Sequence, residues 1–187
     1  MVTKNWSPQL YTPLNENVGP IPDGHGGWYS GTTHPNLSCS PVYVPVYGKP
    51  GRFKILADAN CTINVKYQGT GQEMTSNNKT VYEHENYHVQ HSENNFAKTI
   101  SLYNSYDKTE VCGKKCAEAI TQYLSCHCDM QKAHNEYQGK KYDCEEYSDG
   151  VQKKRVCGEE KTFNEKYIEK HKQCQLDKDT MDNACKQ

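Results

Sequence analysis

The sequence predicts an α+β fold: a proline-rich irregular N-terminal segment, a small β-sheet, a histidine-bearing helix and a helical C-terminal part crosslinked by disulfides. Three observations predict it: the position of the prolines, one stretch of alternating apolar residues, and a proline-free second half rich in helix-forming residues and cysteine. We therefore expect an irregular segment over residues 1–50 and one domain over residues 51–187.

The N-terminal segment is set apart by its composition. All eight prolines and seven of the thirteen glycines lie within the first 51 residues. Because proline fixes φ and lacks an amide donor, we expect residues 1–50 to form extended strands, turns and loops rather than helix. Val42, Val44 and Val46 alternate around Pro45, which predicts an edge strand at best.

The next segment carries a strand and then a helix start. Apolar and polar residues alternate over residues 61–67, which is typical of a half-buried strand. Further along, Thr80 is followed three residues later by Glu83, and this capping-box pattern predicts a helix that begins at Val81.

The C-terminal half has the composition of helices. It contains no proline and many Lys, Glu, Gln and Ala residues, so we expect helices over roughly 110–147 and 162–185. The pattern Thr162-x-x-Glu165 is a second capping box, and it predicts that the last helix starts there.

The cysteines predict how the protein is stabilised and where it is found. Mean hydropathy is -0.99 and the hydrophobic fraction is 34%, so apolar burial is small for 187 residues. Ten cysteines, an even number, indicate disulfides and an oxidising compartment, and we expect a secreted protein. The connectivity stays open.

A structural zinc site built from thiolates is the alternative use of these cysteines. The chain contains Cys112-x-x-x-Cys116 and Cys126-His127-Cys128, and neither has the Cys-x-x-Cys spacing of such sites. Disulfides that join helices are therefore the preferred interpretation.

Charge and hydropathy exclude several classes of partner. The formal net charge is -1 and the sequence pI is about 6.7, so no basic field for nucleic acid is expected. The sequence contains no run of about 18 apolar residues, and we expect no membrane span. A monomer is assumed.

One motif carries chemistry, His84-Glu85-Asn86-Tyr87-His88. On a helix, residues i and i+4 lie one turn apart on the same face, so two imidazoles at this spacing can bind one ion. Glu85 follows the first histidine directly, where its carboxylate can act on water as a general base. The pattern predicts a site for one catalytic zinc ion.

The residues around this motif, Val81 to Val89, resemble the active-site helix of the zincin metallopeptidases, in which a strand such as residues 61–67 typically lines the substrate cleft. The resemblance implies a zinc peptidase that hydrolyses peptide bonds of a protein or peptide substrate. It implies His84 and His88 as metal ligands and Glu85 as the catalytic base. Gln90 departs from the family pattern, which usually has a hydrophobic residue there.

The third zinc ligand must come from elsewhere. The metzincin extension H-E-x-x-H-x-x-G-x-x-H is absent, whereas gluzincins and aspzincins take a carboxylate from a later helix. Residues 142–146, Tyr-Asp-Cys-Glu-Glu, are similar to a Tyr-Asp-x-Glu segment in a family of predicted secreted bacterial zinc proteases, over about residues 53–150. The candidates, in order, are Asp143, Glu146, and then Glu145 or Glu118. Tyr142 is a candidate for stabilising the transition-state oxyanion.

A second hypothesis belongs to a different class. The chain can also be a disulfide-rich secreted binding or effector protein whose His-Glu-x-x-His motif is degenerate and supports no catalysis. The zinc content of the purified protein distinguishes the two hypotheses, because only the peptidase requires a tightly bound ion.

Overall fold

A computed structural model describes residues 1–9, 21–22, 28–29, 31–68, 79–146 and 150–186. It confirms the predicted α+β fold. The elements follow in the order β1 (Val2–Gln9), β2 (Ile21–Pro22), β3 (Trp28–Tyr29), β4 (Gly31–Pro45), β5 (Arg52–Gln68), α1 (Val81–Tyr106), β6 (Glu110–Cys112), α2 (Lys114–Glu146) and α3 (Gly150–Ala184).

The main sheet is mixed and is organised around β5. β1 pairs with β5 in parallel, β4 pairs with its other side antiparallel, and β6 adds a short antiparallel pairing at Arg52–Lys54. β2 and β3 form a separate pair. Since β1 and β4 both precede residue 51, one sheet joins strands from the N-terminal segment with the predicted strand at residues 61–67.

β4 lies at the edge of this sheet, as the alternating valines predict. It contains Pro35, Pro41 and Pro45, and each is paired with a residue of β5. Proline is tolerated in an edge strand because its missing amide can point away from the partner strand. An edge position is therefore the one that this proline-rich sequence can occupy.

Two of the helices, α1 and α2, pack against the sheet. Cys61, Ile63 and Val65 of β5 are fully buried, as the alternation predicts, while Asn64 and Lys66 are exposed. The same alternation extends back to Ile55, which is also fully buried. Phe96 and Tyr103 of α1, seven residues apart on one face of that helix, belong to the same core. This packing fixes how α1 is rotated about its axis.

The start of α1 is confirmed to the residue. The Thr80 side chain accepts a hydrogen bond from the backbone N–H of Glu83, and the Glu83 carboxylate accepts one from the N–H of Thr80 at 2.8 Å. This capping box satisfies amide groups that the first turn leaves without helical partners. The histidine motif thus begins one turn inside a firmly capped helix.

α2 and α3 form a long antiparallel hairpin, and one prediction about it is wrong. α3 begins at Gly150, not at Thr162, so the second capping pattern lies inside the helix. The Thr162 hydroxyl donates to the carbonyl of Gly158, at 3.5 Å, instead of capping a helix end. Lys and Glu residues with high helix propensity surround Gly158 and outweigh its cost.

Disulfides crosslink the helical part, as predicted. Cys144–Cys157 joins α2 to α3, Cys116–Cys185 joins α2 to the residue that directly follows α3, and Cys39–Cys128 joins β4 to α2. They are compatible with the oxidising compartment inferred from the cysteine count. No helix in the described part of the chain combines the length and apolarity needed to cross a bilayer.

Candidate metal centre

The rotation of α1 decides where its histidines point. Glu85 and Val89 are buried in the face that packs on the sheet. His84 and His88 each precede one of these residues, so both lie beside that face and are turned toward α2. Their side chains are 21% and 16% exposed, and their ring centroids are 5.0 Å apart.

Asp143 reaches the two imidazoles from α2. Its Oδ1 lies 3.0 Å from Nε2 of His88 and 3.5 Å from Nε2 of His84. The two Nε2 atoms are 3.3 Å apart. In the described parts of the chain, these residues are the only three His, Cys, Asp or Glu side chains grouped closely enough to hold a metal ion.

The three donor atoms fit zinc. Ligand atoms about 2.0–2.2 Å from zinc at the corners of a tetrahedron lie roughly 3.3–3.6 Å from one another. The observed separations of 3.0–3.5 Å come within a few tenths of an ångström of that range. Two imidazoles and one carboxylate also leave one tetrahedral position for water, as in catalytic sites.

Electrostatics also binds the three side chains together. Burial raises the pKa of Asp143, but the hydrogen bonds from His84 and His88 outweigh it and hold the pKa of that carboxyl well below its usual value. Burial lowers the pKa of His84, yet the hydrogen bond to Asp143 and the nearby Glu85 charge raise it overall. Asp143 is therefore anionic and faces two imidazoles. A divalent cation can take the place of the protons that these imidazoles share with the carboxylate.

Glu85 is held against β4. It is 3% exposed, and the Thr33 hydroxyl donates a hydrogen bond to its Oε2. Burial raises the pKa of this carboxyl, and the Thr33 hydrogen bond together with the two histidines opposes the shift. Gly31 leaves room for the carboxylate, since a Cβ at that position would lie 2.5 Å from Oε1 of Glu85.

Tyr142 packs against both histidines. Its ring centroid lies 5.2 Å from that of His84 and 5.3 Å from that of His88, and the ring stacks on Tyr87 at 3.6 Å. The hydroxyl accepts a hydrogen bond from Nζ of Lys79 at 3.2 Å. Burial raises the pKa of this phenol, so it stays protonated and able to donate at neutral pH.

The other carboxylates considered as third ligand lie elsewhere. Glu146 pairs with Lys79 at 2.7 Å, and the exposed Glu145 lies 4.0 Å from Lys141. Glu118 accepts a hydrogen bond from the Tyr43 hydroxyl near the start of α2. Of the four candidates, the structure brings Asp143 to the histidines.

Three residues around the site were missed by the sequence analysis. Thr33 and Gly31 lie far before Glu85 in the chain, and no local pattern connects them with the motif. Lys79 directly precedes the capping Thr80, but its partners Tyr142 and Glu146 become neighbours only when α2 packs against α1.

Comparison of the chain with protein-family models, with curated proteins and with solved structures finds no match. Inference about function therefore rests on the residues of this site.

Proposed function

We propose that this protein is a secreted zinc peptidase that hydrolyses peptide bonds, with His84, His88 and Asp143 as metal ligands. The observation that carries the proposal is the convergence of three donor atoms, 3.0–3.5 Å apart, from two helices. A buried carboxylate with a raised pKa directly follows the first histidine, and such groups are typical of functional sites.

Each residue has a separate task in this mechanism. A zinc ion bound here would lower the pKa of a water molecule and polarise the scissile carbonyl. Glu85 takes the proton from the attacking water and passes it to the leaving nitrogen. Thr33 and Gly31 fix the position of that carboxylate, and the Tyr142 hydroxyl, held by Lys79, donates to the developing oxyanion.

The disulfides support the secreted part of the proposal, because cystines persist in oxidising compartments. We expect a protein or peptide substrate. The exposed Tyr87 beside His88 offers an apolar surface against which a substrate side chain can pack.

The proposal is tested by metal analysis together with hydrolysis of a peptide library. We expect one zinc per chain in protein purified without a histidine tag. Glu85→Gln should retain that zinc and lose about 10²–10⁴-fold in kcat, because the general base is gone. Asp143→Ala should lose both zinc and activity.

Glu145→Gln is the matched control, since it changes a carboxylate of the same α2 segment that faces solvent, and it should leave zinc and kcat unchanged. Substoichiometric zinc that His84→Ala leaves unaltered would contradict the proposal. The chain would then be a disulfide-rich binding or effector protein with a degenerate motif.

A further inference from the structure

Four cysteines lie outside the three disulfides: Cys61, Cys112, Cys126 and Cys174. Two of them lie on the two helices of the hairpin, Cys126 on α2 and Cys174 on α3, and each thiol shifts the pKa of the other. The other two lie on β5 and β6. The four therefore divide into one adjacent pair and two separate cysteines.

The register of the hairpin explains why Cys126 and Cys174 meet. The stretch of α2 between Cys116 and Cys144 has the same length as the stretch of α3 between their partners, Cys185 and Cys157. The two helices thus run antiparallel, and their register is the same at both disulfides. Cys126 lies ten residues after Cys116, and Cys174 lies eleven residues before Cys185, so the two cysteines are within one residue of the same level along the hairpin.

A metal site is the other use for two facing thiols. Asp177, which accepts hydrogen bonds from Gln122 and Gln173, also contacts the Cys126 thiol. These donors are not grouped closely enough to bind one ion, because the only such group in the described part of the chain is the one around His84. Two sulfurs without a third ligand favour a covalent bond over a metal.

We propose that Cys126 and Cys174 form a fourth disulfide, which crosslinks α2 and α3 between the two disulfides already described. In this reaction one thiolate attacks a low-molecular-weight disulfide such as oxidised glutathione, forms a mixed disulfide and releases one glutathione thiolate. The second cysteine attacks the protein sulfur of that mixed disulfide and releases the other glutathione. The protein loses two electrons and two protons, and the oxidant becomes two thiols.

The timing of this step follows from burial. Desolvation raises the pKa of both thiols, so the packed hairpin contains little of the thiolate that exchange requires. We therefore expect the bond to form while the two helices are still assembling.

The two remaining cysteines cannot form a disulfide with each other. Cys112 pairs with Arg52 at one end of β5, and Cys61 lies nine residues further along that strand, roughly 30 Å away at 3.3 Å per residue. A disulfide requires Cα atoms within about 7 Å. The folded protein should therefore contain four disulfides and two thiols.

Disulfide mapping of the wild-type chain tests this inference. The protein is folded in glutathione buffer, alkylated with iodoacetamide in guanidinium chloride without reductant, and digested with trypsin. The tryptic peptide 173–178 contains Cys174 as its only cysteine. We expect it to be unalkylated and crosslinked to peptide 116–132, and chymotryptic cleavage after Tyr123 should leave the link on the half that contains Cys126.

Two variants sharpen the result. In Cys126→Ser, peptide 173–178 should become alkylated, whereas the matched control Cys112→Ser should leave it crosslinked. Recovery of alkylated peptide 173–178 from the folded wild-type protein would overturn the proposal. So would a link from Cys174 that persists in Cys126→Ser. The mapping does not depend on peptidase activity or on zinc.

Discussion

Glu85 has little freedom, because β4 encloses its carboxylate. An added Cβ at Gly31 would lie 2.5 Å from Oε1, so the Gly31→Ala variant must displace the carboxylate from its present position. We expect kcat to fall about 10²-fold, the usual cost of misplacing a catalytic group by about 1 Å. Zinc content should not change, since the metal ligands lie on other residues.

Gly139→Ala is the matched control for that variant. Its Cβ would come 3.6 Å from Nδ1 of His88, which is an ordinary contact, and alanine favours the helix in which it lies. Activity and zinc content should remain at wild-type levels. A loss of activity in Gly139→Ala as large as that in Gly31→Ala would show that the space at Gly31 has no special role.

The ion pair around Asp143 gives the metal-free protein a defined pH dependence. The lowered pKa of Asp143 stabilises the fold above the ordinary value of 3.8, and this contribution is lost as the pH falls. The raised pKa of His84 stabilises it below the ordinary value of 6.5, and this contribution is lost as the pH rises through the raised pKa. The stabilisation is therefore greatest between about pH 4 and 6.5.

Thermal unfolding in the presence of a chelator measures this effect. The difference in Tm between the wild type and Asp143→Asn should be largest near pH 5 and should shrink at pH 8. A difference that grows from pH 5 to pH 8 would contradict the pairing. With zinc added, the difference in Tm should instead be larger at pH 8 than at pH 5. Metal binding requires neutral imidazoles and therefore strengthens as the pH rises.

Residues of the metal centre could be predicted from the sequence where they lie close to one another in the chain. His84, Glu85 and His88 belong to one motif, and helical periodicity alone places the two imidazoles on one face. Asp143 lies on a later helix and was one of four candidates, because packing of α2 on α1 decides which carboxylate arrives. Thr33 and Gly31 depend on strand pairing and had no local signal.

At the level of secondary structure, the capping box of α1 supports the metal centre. Thr80→Ala removes the side chain that accepts from the Glu83 amide and should cost about 1 kcal/mol in the free energy of unfolding. The midpoint of thermal unfolding should fall by roughly 2–4 °C. Zinc affinity should weaken as well, because His84 lies in the first turns of the helix.

Thr162→Ala provides the comparison, since that threonine belongs to a similar sequence pattern inside α3. It caps no helix end, and alanine has the higher helix propensity, so stability should stay constant or rise slightly. An equal loss of stability in both variants would mean that the Thr80 cap contributes nothing specific.

The contrast between these threonines shows what a local pattern can predict. Thr80 follows a polar, glycine-containing stretch, whereas Thr162 follows residues that already form helix. The same four-residue pattern therefore had two outcomes, and the preceding sequence decided between them. The alternation over residues 61–67 predicted its strand correctly because burial of one face imposes a period of two.

For the whole molecule, loop length predicts that the disulfide Cys39–Cys128 stabilises the fold more than Cys144–Cys157. It closes a loop with a sequence separation of 89, whereas Cys144–Cys157 closes one of 13. Chain entropy then gives about 4–5 kcal/mol for the first and about 3 kcal/mol for the second. Replacement of Cys39 and Cys128 by alanine should therefore lower the denaturation midpoint more than replacement of Cys144 and Cys157.

Equilibrium unfolding in guanidinium chloride compares the two double variants. Equal losses of stability would show that loop length does not determine the contribution.

The order of the strands and the partners of the cysteines could not be predicted from the sequence, because both arise from contacts between residues far apart in the chain. The parallel pairing of β1 with β5, in which Val2 lies opposite Cys61, is one such contact.

The three prolines of β4 have a consequence for the behaviour of the protein at high concentration. An exposed strand edge can recruit the same edge of another molecule and so start intermolecular sheet growth. Pro35, Pro41 and Pro45 all occupy odd-numbered positions, so their missing amides interrupt the same outward-facing row of donors. A second chain would find only short runs of hydrogen-bonding groups there, so we expect intermolecular sheet growth not to begin at the β4 edge.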